Sequence, residues 1–154
     1  MSITTKKARQ AVHALIQEWF LPANVPPEFD CPIAQENIVG YFTQPLETAD
    51  SPNWIILYST HSLTSGVSLG GDIQNAQLGI LLACSLSKGA NAEASREAAE
   101  NWLDDAEEYI LQRLAQSKTA DWRELRAVTP KRDKWRTMWR RFRTSDILLF
   151  VEKR

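Results

Sequence analysis

The residues that could do chemistry fall in two blocks of opposite charge. Between Glu93 and Glu108 stand seven carboxylates, Glu93, Glu97, Glu100, Asp104, Asp105, Glu107 and Glu108, against one base, Arg96, for a net charge of −6. Carboxylates at that density suit three uses: a divalent-metal face of hard oxygen ligands, the solvated outer side of a helix, or a charged contact surface. From Lys118 to Arg143 the sign reverses. Ten bases (Lys118, Arg123, Arg126, Lys131, Arg132, Lys134, Arg136, Arg140, Arg141 and Arg143) stand against Asp121, Glu124 and Asp133, for a net charge of +7, with Trp122, Trp135, Trp139 and Phe142 between them. Bases interleaved with aromatics serve single-stranded nucleic-acid binding, through phosphate contacts and base stacking. They equally serve protein interfaces, where Trp and Arg supply most of the binding energy. The plainer reading is that the aromatics are core and the bases a solvated face.

The rest of the catalytic inventory is sparse. Only His13 and His61 are present, and Cys31 and Cys84 are too far apart for a CxxC pair, so a histidine-rich or cysteine-rich metal site is not expected. Gly66, Gly70 and Gly71 precede no helix start suited to a phosphate loop. Ser59, Ser62 and Ser65 lack the flanking glycines of a nucleophile elbow. His13, between Val12 and Ala14, reads as a partly exposed helix histidine, and His61 has no neighbouring nucleophile to activate. The expectation is a non-enzymatic protein with no catalytic residue, metal or cofactor. A metal-dependent enzyme using Asp104, Asp105 and neighbouring carboxylates is the enzymatic alternative.

The elements that must position these blocks are organised around residues 75–116. Leu78, Ile80, Leu82, Cys84 and Leu86 alternate with Gln77, Gly79, Leu81, Ala83 and Ser85, the period of a strand with one apolar face. Ser87–Ala90 breaks the pattern, and Asn91 can cap a following helix. Ala99, Leu103, Ala106, Ile110 and Leu114 then recur at spacings of three and four. They form one stripe of a helix of about 26 residues, roughly 39 Å long, which must cover a sheet to bury it. Leu103, Ile110 and Leu114 are expected on the strand face of Leu78, Ile80 and Leu82, which turns Glu107 outward.

Before this unit, Thr5–Phe20 reads as a helix with Ala8, Val12, Leu15, Ile16 and Trp19 as its stripe, ended by Pro22. Residues 22–53 hold six of the seven prolines, so an irregular arm or cover is expected there, with Ile38–Phe42 as one edge strand. Trp54–Tyr58 is a compact apolar strand, and Thr60–Asn75 a polar loop, so the strands on either side pair antiparallel. Trp122–Val128 reads as a strand. Thr129-Pro130 resembles a helix start, and Trp135, Met138, Trp139 and Phe142 fall at i, i+3, i+4 and i+7 of one helical face, with a strand as the alternative. Ile147–Val151 closes the chain as a strand. The fold class is therefore α+β: an antiparallel or mixed β-sheet of about four strands packed against one long helix and an N-terminal helix. Residues 1–154 are read as a single domain with a Pro-rich irregular arm at about 22–53.

Composition bounds the partners. A net charge of −1 makes the whole chain no electrostatic partner for nucleic acid or membrane, and no apolar run reaches the ~18 residues of a membrane span. The N-terminus lacks the apolar core of a secretion signal, and Cys84 on an apolar strand face reads as a reduced buried thiol, so synthesis in the cytoplasm is expected. One acidic and one basic block in a neutral chain suggest self-association, the acidic face of one copy meeting the basic face of the next. Such a contact would use Glu100, Asp104, Glu107 and Glu108 on one side, and Arg123, Arg126, Lys131, Arg132, Arg136 and Arg140 on the other.

The order of these elements resembles a family. A first helix and an irregular segment lead to PNWIILYS, a Gly-containing polar loop and NAQLGILLACSLSKGANAEASREAAENWLDDAEEYILQRL, and DILLFVEKR ends the sequence. This layout is similar to that of the tail terminator, or tail-completion, proteins of long-tailed bacteriophages, and more loosely to other head–tail joining proteins. The resemblance covers the first helix and most of the sequence from Pro52 onward. It carries no functional residue by position, because the family has no sharp motif. It implies a virion structural protein, assembled in the host cytoplasm, that forms a hexameric ring. That ring would cap the tail tube, join it to the head connector or stopper protein, with the sheath as a further neighbour, and let DNA pass through its lumen. A small nucleic-acid-binding module using residues 118–143 is the alternative.

Overall fold

The structure, a computed structural model, describes residues 5–43, 53–60, 65–68, 71–87, 92–117, 122–127, 131–136 and 141–153; for 65–68, 71–75, 122–127, 133–136, 141 and 152–153 it describes the backbone alone. The chain is α+β. Helix α1 spans Thr5–Trp19, β1 Ile38–Val39, β2 Asn53–Ser59, β3 Ser65–Ser68, β4 Gly71–Leu86, helix α2 Ala92–Gln116, β5 Trp122–Ala127, β6 Lys131–Arg136 and β7 Arg141–Lys153. The sheet runs β1-β2-β4-β7-β5, with β3 paired to β4 and β6 to β7. Among the described strands only the β1–β2 ladder is parallel, so the sheet is mixed.

The alternation on β4 sets the layers. Leu78, Ile80, Leu82 and Cys84 point to the face covered by both helices, where they join Ile55 and Leu57 of β2 and Ile147, Leu149 and Val151 of β7. Ala99, Leu103, Ala106, Ile110 and Leu114 of α2 bury their stripe in that core, as do Ala8, Val12, Ile16 and Trp19 of α1. The opposite positions do not face solvent. Trp54, Ile56, Leu81, Ala83 and Phe142 form a second buried cluster, with Val39 and Tyr58 packed against it. Both faces of β4 are therefore apolar at its centre. Gly79 lies under the Tyr58 ring, where a Cβ would stand 2.1 Å from a ring carbon. The Tyr58 hydroxyl donates to Asp146 on β7, at 2.7 and 2.9 Å from its two oxygens.

Two expectations about the strands change. The Thr60–Asn75 stretch contains a hairpin, Ser65↔Gln74 to Ser68↔Gly71, in place of a plain loop. The helix expected after Pro130 is strand β6, and Phe142 lies on β7. The spacing that imitates a helical face has a cross-strand origin: in the β6–β7 hairpin Trp135 pairs with Phe142 and Arg136 with Arg141. Residues seven apart thus share a face of the sheet, not of a helix. Strands β5 and β6 lie end to end along one edge of β7, opposite residues 149–153 and 141–146. Met138 and Trp139 lie outside the described residues.

The Pro-rich segment, as far as Thr43, is an irregular cover and not a free arm. Phe29, Cys31 and Ile38 are core residues. The edge strand expected at Ile38–Phe42 is reduced to two residues, and Tyr41 and Phe42 are exposed. His13 Nε2 lies 2.8 Å from the Ile38 carbonyl, and its ring fills the space where a side chain on Gly40 would sit.

Candidate interface on the long helix

Positions 100, 104 and 107 are spaced i, i+4 and i+7, so a helix places their carboxylates on one flank, beside the core stripe. On the sheet, Arg132 pairs in register with Ser145, which pairs in turn with Leu82 of the helix-covered core, and so points to that side. Its guanidinium enters the acidic flank. Nη1 donates to Glu100, Nη2 to Asp104 and Nε to Glu107, each at 2.6 Å. Arg143 Nε donates to the second oxygen of Glu100 at 2.5 Å. One planar fork thus uses all three of its nitrogens on three carboxylates, a geometry that Lys could not reproduce. Burial alone would disfavour the charged guanidinium, but its bonds to Glu107 and Asp104 outweigh this and hold the Arg132 pKa above its ordinary value.

This arrangement corrects the placement of Glu107. It is not on an outer face: its side chain is 15% exposed, whereas Asp104 is 67% exposed. The acidic and basic blocks meet first within one chain, because β6 and β7 bring Arg132 and Arg143 against Glu100, Asp104 and Glu107 of α2. The other residues expected at an interface are dispersed. Glu108 is exposed on α2 and Lys131 on β6. Arg123 and Arg126 are on β5 and Arg136 on β6, with only their backbone described, and Arg140 lies outside the described residues.

Along the same flank runs an open groove of about 640 Å³, lined by Asp104, Glu107, Glu108, Leu111, Gln112 and Ala115. Its acids lie toward the middle of α2, and its apolar part, Leu111 and Ala115, toward the C-terminal end.

The opposite flank of α2 holds the Pro-rich cover, a role that the sequence reading did not give to any residue. Trp102 Nε1 donates to the Pro32 carbonyl at 3.0 Å, and Asn53 Nδ2 donates to that same oxygen at 3.0 Å. Tyr109 donates to the Trp19 carbonyl and also lies 3.2 Å from the Asn24 carbonyl. Its ring packs edge-on against Phe20, 5.2 Å between centroids, and beside Phe29 at 5.4 Å. Asp105 accepts the Asp30 amide at 3.1 Å. The available signal was that Trp102, Asp105 and Tyr109 share a face opposite Glu100, Asp104 and Glu107; nothing local told what each face would meet.

Chemically, the site holds parts together. Among the described residues no group of three or more His, Cys, Asp or Glu side chains could hold a metal ion. Asp104 and Asp105, on which the alternative of a metal-dependent enzyme rests, diverge to Arg132 and to the Asp30 amide. Both cysteines are free and buried. Desolvation, with Asp105 and Asp30 nearby, pushes the Cys31 thiol up to about 12, and burial pushes Cys84 up to about 11, so both are neutral near pH 7. No helix among the described residues is long and apolar enough to cross a membrane. No protein-family model and no curated protein matches this sequence, so what can be said of its function rests on the geometry above and on the order of its elements.

Proposed function

We propose that this protein is a non-enzymatic subunit of the tail terminator ring of a long-tailed bacteriophage, located in the virion at the junction of tail tube and head connector. The observation that carries this reading is the β3–β4 ribbon. β4 begins at Gly71, but its ladder with β7 starts only at Asn75 and its ladder with β2 only at Leu78. Residues 71–74 pair with β3 alone among the described strands. A two-stranded ribbon that runs past its sheet has little stability of its own and gains it by packing on something else. In a ring protein that something is a neighbouring copy, the tube or the lumen. The order of elements supports the same reading, with six copies as the closed assembly and the tube protein, connector or stopper, and sheath as neighbours. The nucleic-acid alternative gains nothing from Arg132 and Arg143, whose guanidiniums already face carboxylates. DNA binding is expected to be weak and salt-sensitive, with Kd about 10⁻⁴ to 10⁻⁶ M.

The test is native mass spectrometry and light scattering in low salt at the highest soluble concentration, alone and with purified tail tubes. A six-copy species, alone or on tube ends, is expected. A chain that stays monomeric and leaves tube ends bare overturns the proposal.

A further inference from the structure

We infer that the α2 groove receives the exposed, basic side of α1 from a second copy; this rests on the ring reading and specifies its contact. The groove joins acids to apolar surface. Glu108 is exposed and has no ion-pair partner among the described residues, and Asp104 is largely exposed. Leu111 and Ala115 continue the flank toward the C-terminal end of α2. A surface that fills the groove must be basic at one end and small and apolar at the other. Among the residues whose side chains are described, two neighbouring bases stand exposed only at Lys6 and Lys7 of α1. The first turn of α1 holds no acid, and Ala14 lies exposed two turns further along the same side. Lys7 and Ala14 are seven residues apart, as are Asp104 and Leu111, and Glu108 and Ala115. Two helices laid parallel therefore set Lys7 against the acids when Ala14 lies against Leu111 and Ala115, about 10.5 Å further along. The positive N-terminal end of α1 then also faces carboxylates. Small side chains at Ala14 and Ala115 let the two axes approach to about 8 Å.

No chain can fill its own groove in this way. Arg9 donates to Ser59, which pairs with Leu78 of β4, so α1 starts at that end of the sheet. α2 starts beyond Leu86, at the other end, so the two helices of one chain run in opposite directions. Tyr109 holds the Trp19 carbonyl on the flank of α2 away from the groove. α1 packs over β1, β2 and β4, and α2 over β4, β5 and β7, so the basic surface and the groove belong to different sides of the helical layer. Their meeting is a heterologous contact: each copy offers α1 to one neighbour and its groove to the other. Such a contact repeats around a ring when the rotation closes. Arg132 does not fill the groove: it binds the Glu107 and Asp104 edge and leaves Glu108 and the Leu111–Ala115 surface open.

The test is charge reversal and cross-linking on the full chain, read by sedimentation and native mass, with circular dichroism as the fold control. Glu108→Lys and Lys7→Glu are each expected to weaken self-association by about tenfold or more, since like charges then meet at the contact. The double variant Glu108→Lys/Lys7→Glu is expected to recover most of the wild-type association. Glu93→Lys, at the far end of α2, should leave it unchanged. Ala14→Cys/Ala115→Cys under mild oxidation is expected to give a ladder of cross-linked copies, and neither single cysteine variant should; native Cys31 and Cys84 are buried and do not compete. If the wild type assembles and both charge variants assemble as well, or the assembled cysteine pair yields no cross-link, this contact is wrong while the ring stands. If both single charge variants fail and the double variant is not rescued, the pairing of α1 with the groove is wrong. If the wild type is monomeric alone and on tubes, ring and contact fail together.

Discussion

On one flank of α2, Glu100, Asp104 and Glu107 meet Arg132; on the other, Trp102, Asp105 and Tyr109 meet carbonyls and an amide of the end of α1 and of the segment between α1 and β2. The apolar stripe between them is the same helix and the same core. The first flank is ionic and half exposed, and it fastens a hairpin that also has a full ladder with β7. The second is aromatic and largely desolvated, and it fastens a Pro-rich segment with hardly any ladder of its own. Exposed ion pairs gain little, because water already solvates both charges and salt screens them. A buried aromatic with a satisfied hydroxyl gains from area and from a hydrogen bond that water cannot replace. Regular structure can therefore rest on charge here, while the irregular cover needs buried aromatic anchors.

The largest effect should come from the aromatic flank. Tyr109→Ala removes a side chain only 1% exposed, packed on Phe20 and Phe29. It should cost about 3–5 kcal/mol in denaturant unfolding. It should also expose the 20–43 segment to proteolysis before the rest of the chain. If that segment is cut no faster than in the wild type, the cover has other anchors and the contrast between flanks weakens.

Arg132→Ala comes next. It leaves Glu100, Asp104 and Glu107 together without their guanidinium, in a setting between exposed and buried, and a cost of about 1–3 kcal/mol is expected. That cost should shrink in 1 M salt, where the Debye length is about 3 Å. The Tyr109→Ala cost should not shrink. Equal salt sensitivity for both variants would erase the distinction drawn here.

Within the ionic flank, Glu107→Ala should cost about 1 kcal/mol and Asp104→Ala under ~0.5 kcal/mol in the isolated subunit, since Glu107 is the more desolvated partner. Equal costs would mean that the cluster acts as one charge pool and not through its individual geometries.

The smallest effect is alkaline. Unfolded thiols release their protons near 9.0, while native Cys84 and Cys31 hold theirs to about 11 and about 12. Between those values the native state binds more protons than the unfolded one, so stability falls as pH rises above about 9 and is unaffected by the thiols below it. Cys84→Ala should flatten part of that alkaline limb in pH-dependent unfolding. An unchanged limb would place its cause elsewhere, as in Tyr58, whose phenol is held protonated by desolvation and by donation to Asp146.

Much of the fold was legible in the sequence because it depends on period. The stripes of α1 and α2 and the alternation on β4 each repeat over several turns or residue pairs, and a hydrophobic pattern that long has one way to be buried. The antiparallel β2–β4 pairing followed from their adjacency in the chain. Elements without a period of their own were misread or shortened: β3, β6 and the first part of β7 are strands because β4 and β7 offer them ladders. The candidate site divides along the same line. That Glu100, Asp104 and Glu107 share a flank was fixed by helical spacing. That Arg132, rather than solvent or a second copy, meets them was decided only by the register of β6 on β7, which sets Arg132 opposite Ser145 and turns it toward α2. A strand's side chains reverse face with each one-residue slip, and no local pattern in Lys131–Arg136 reports that register. Sequence by itself determined which residues are neighbours along each element; the partner across the gap, and hence the pairing of Arg132 and Arg143 with Glu100, Asp104 and Glu107, belongs to the tertiary structure.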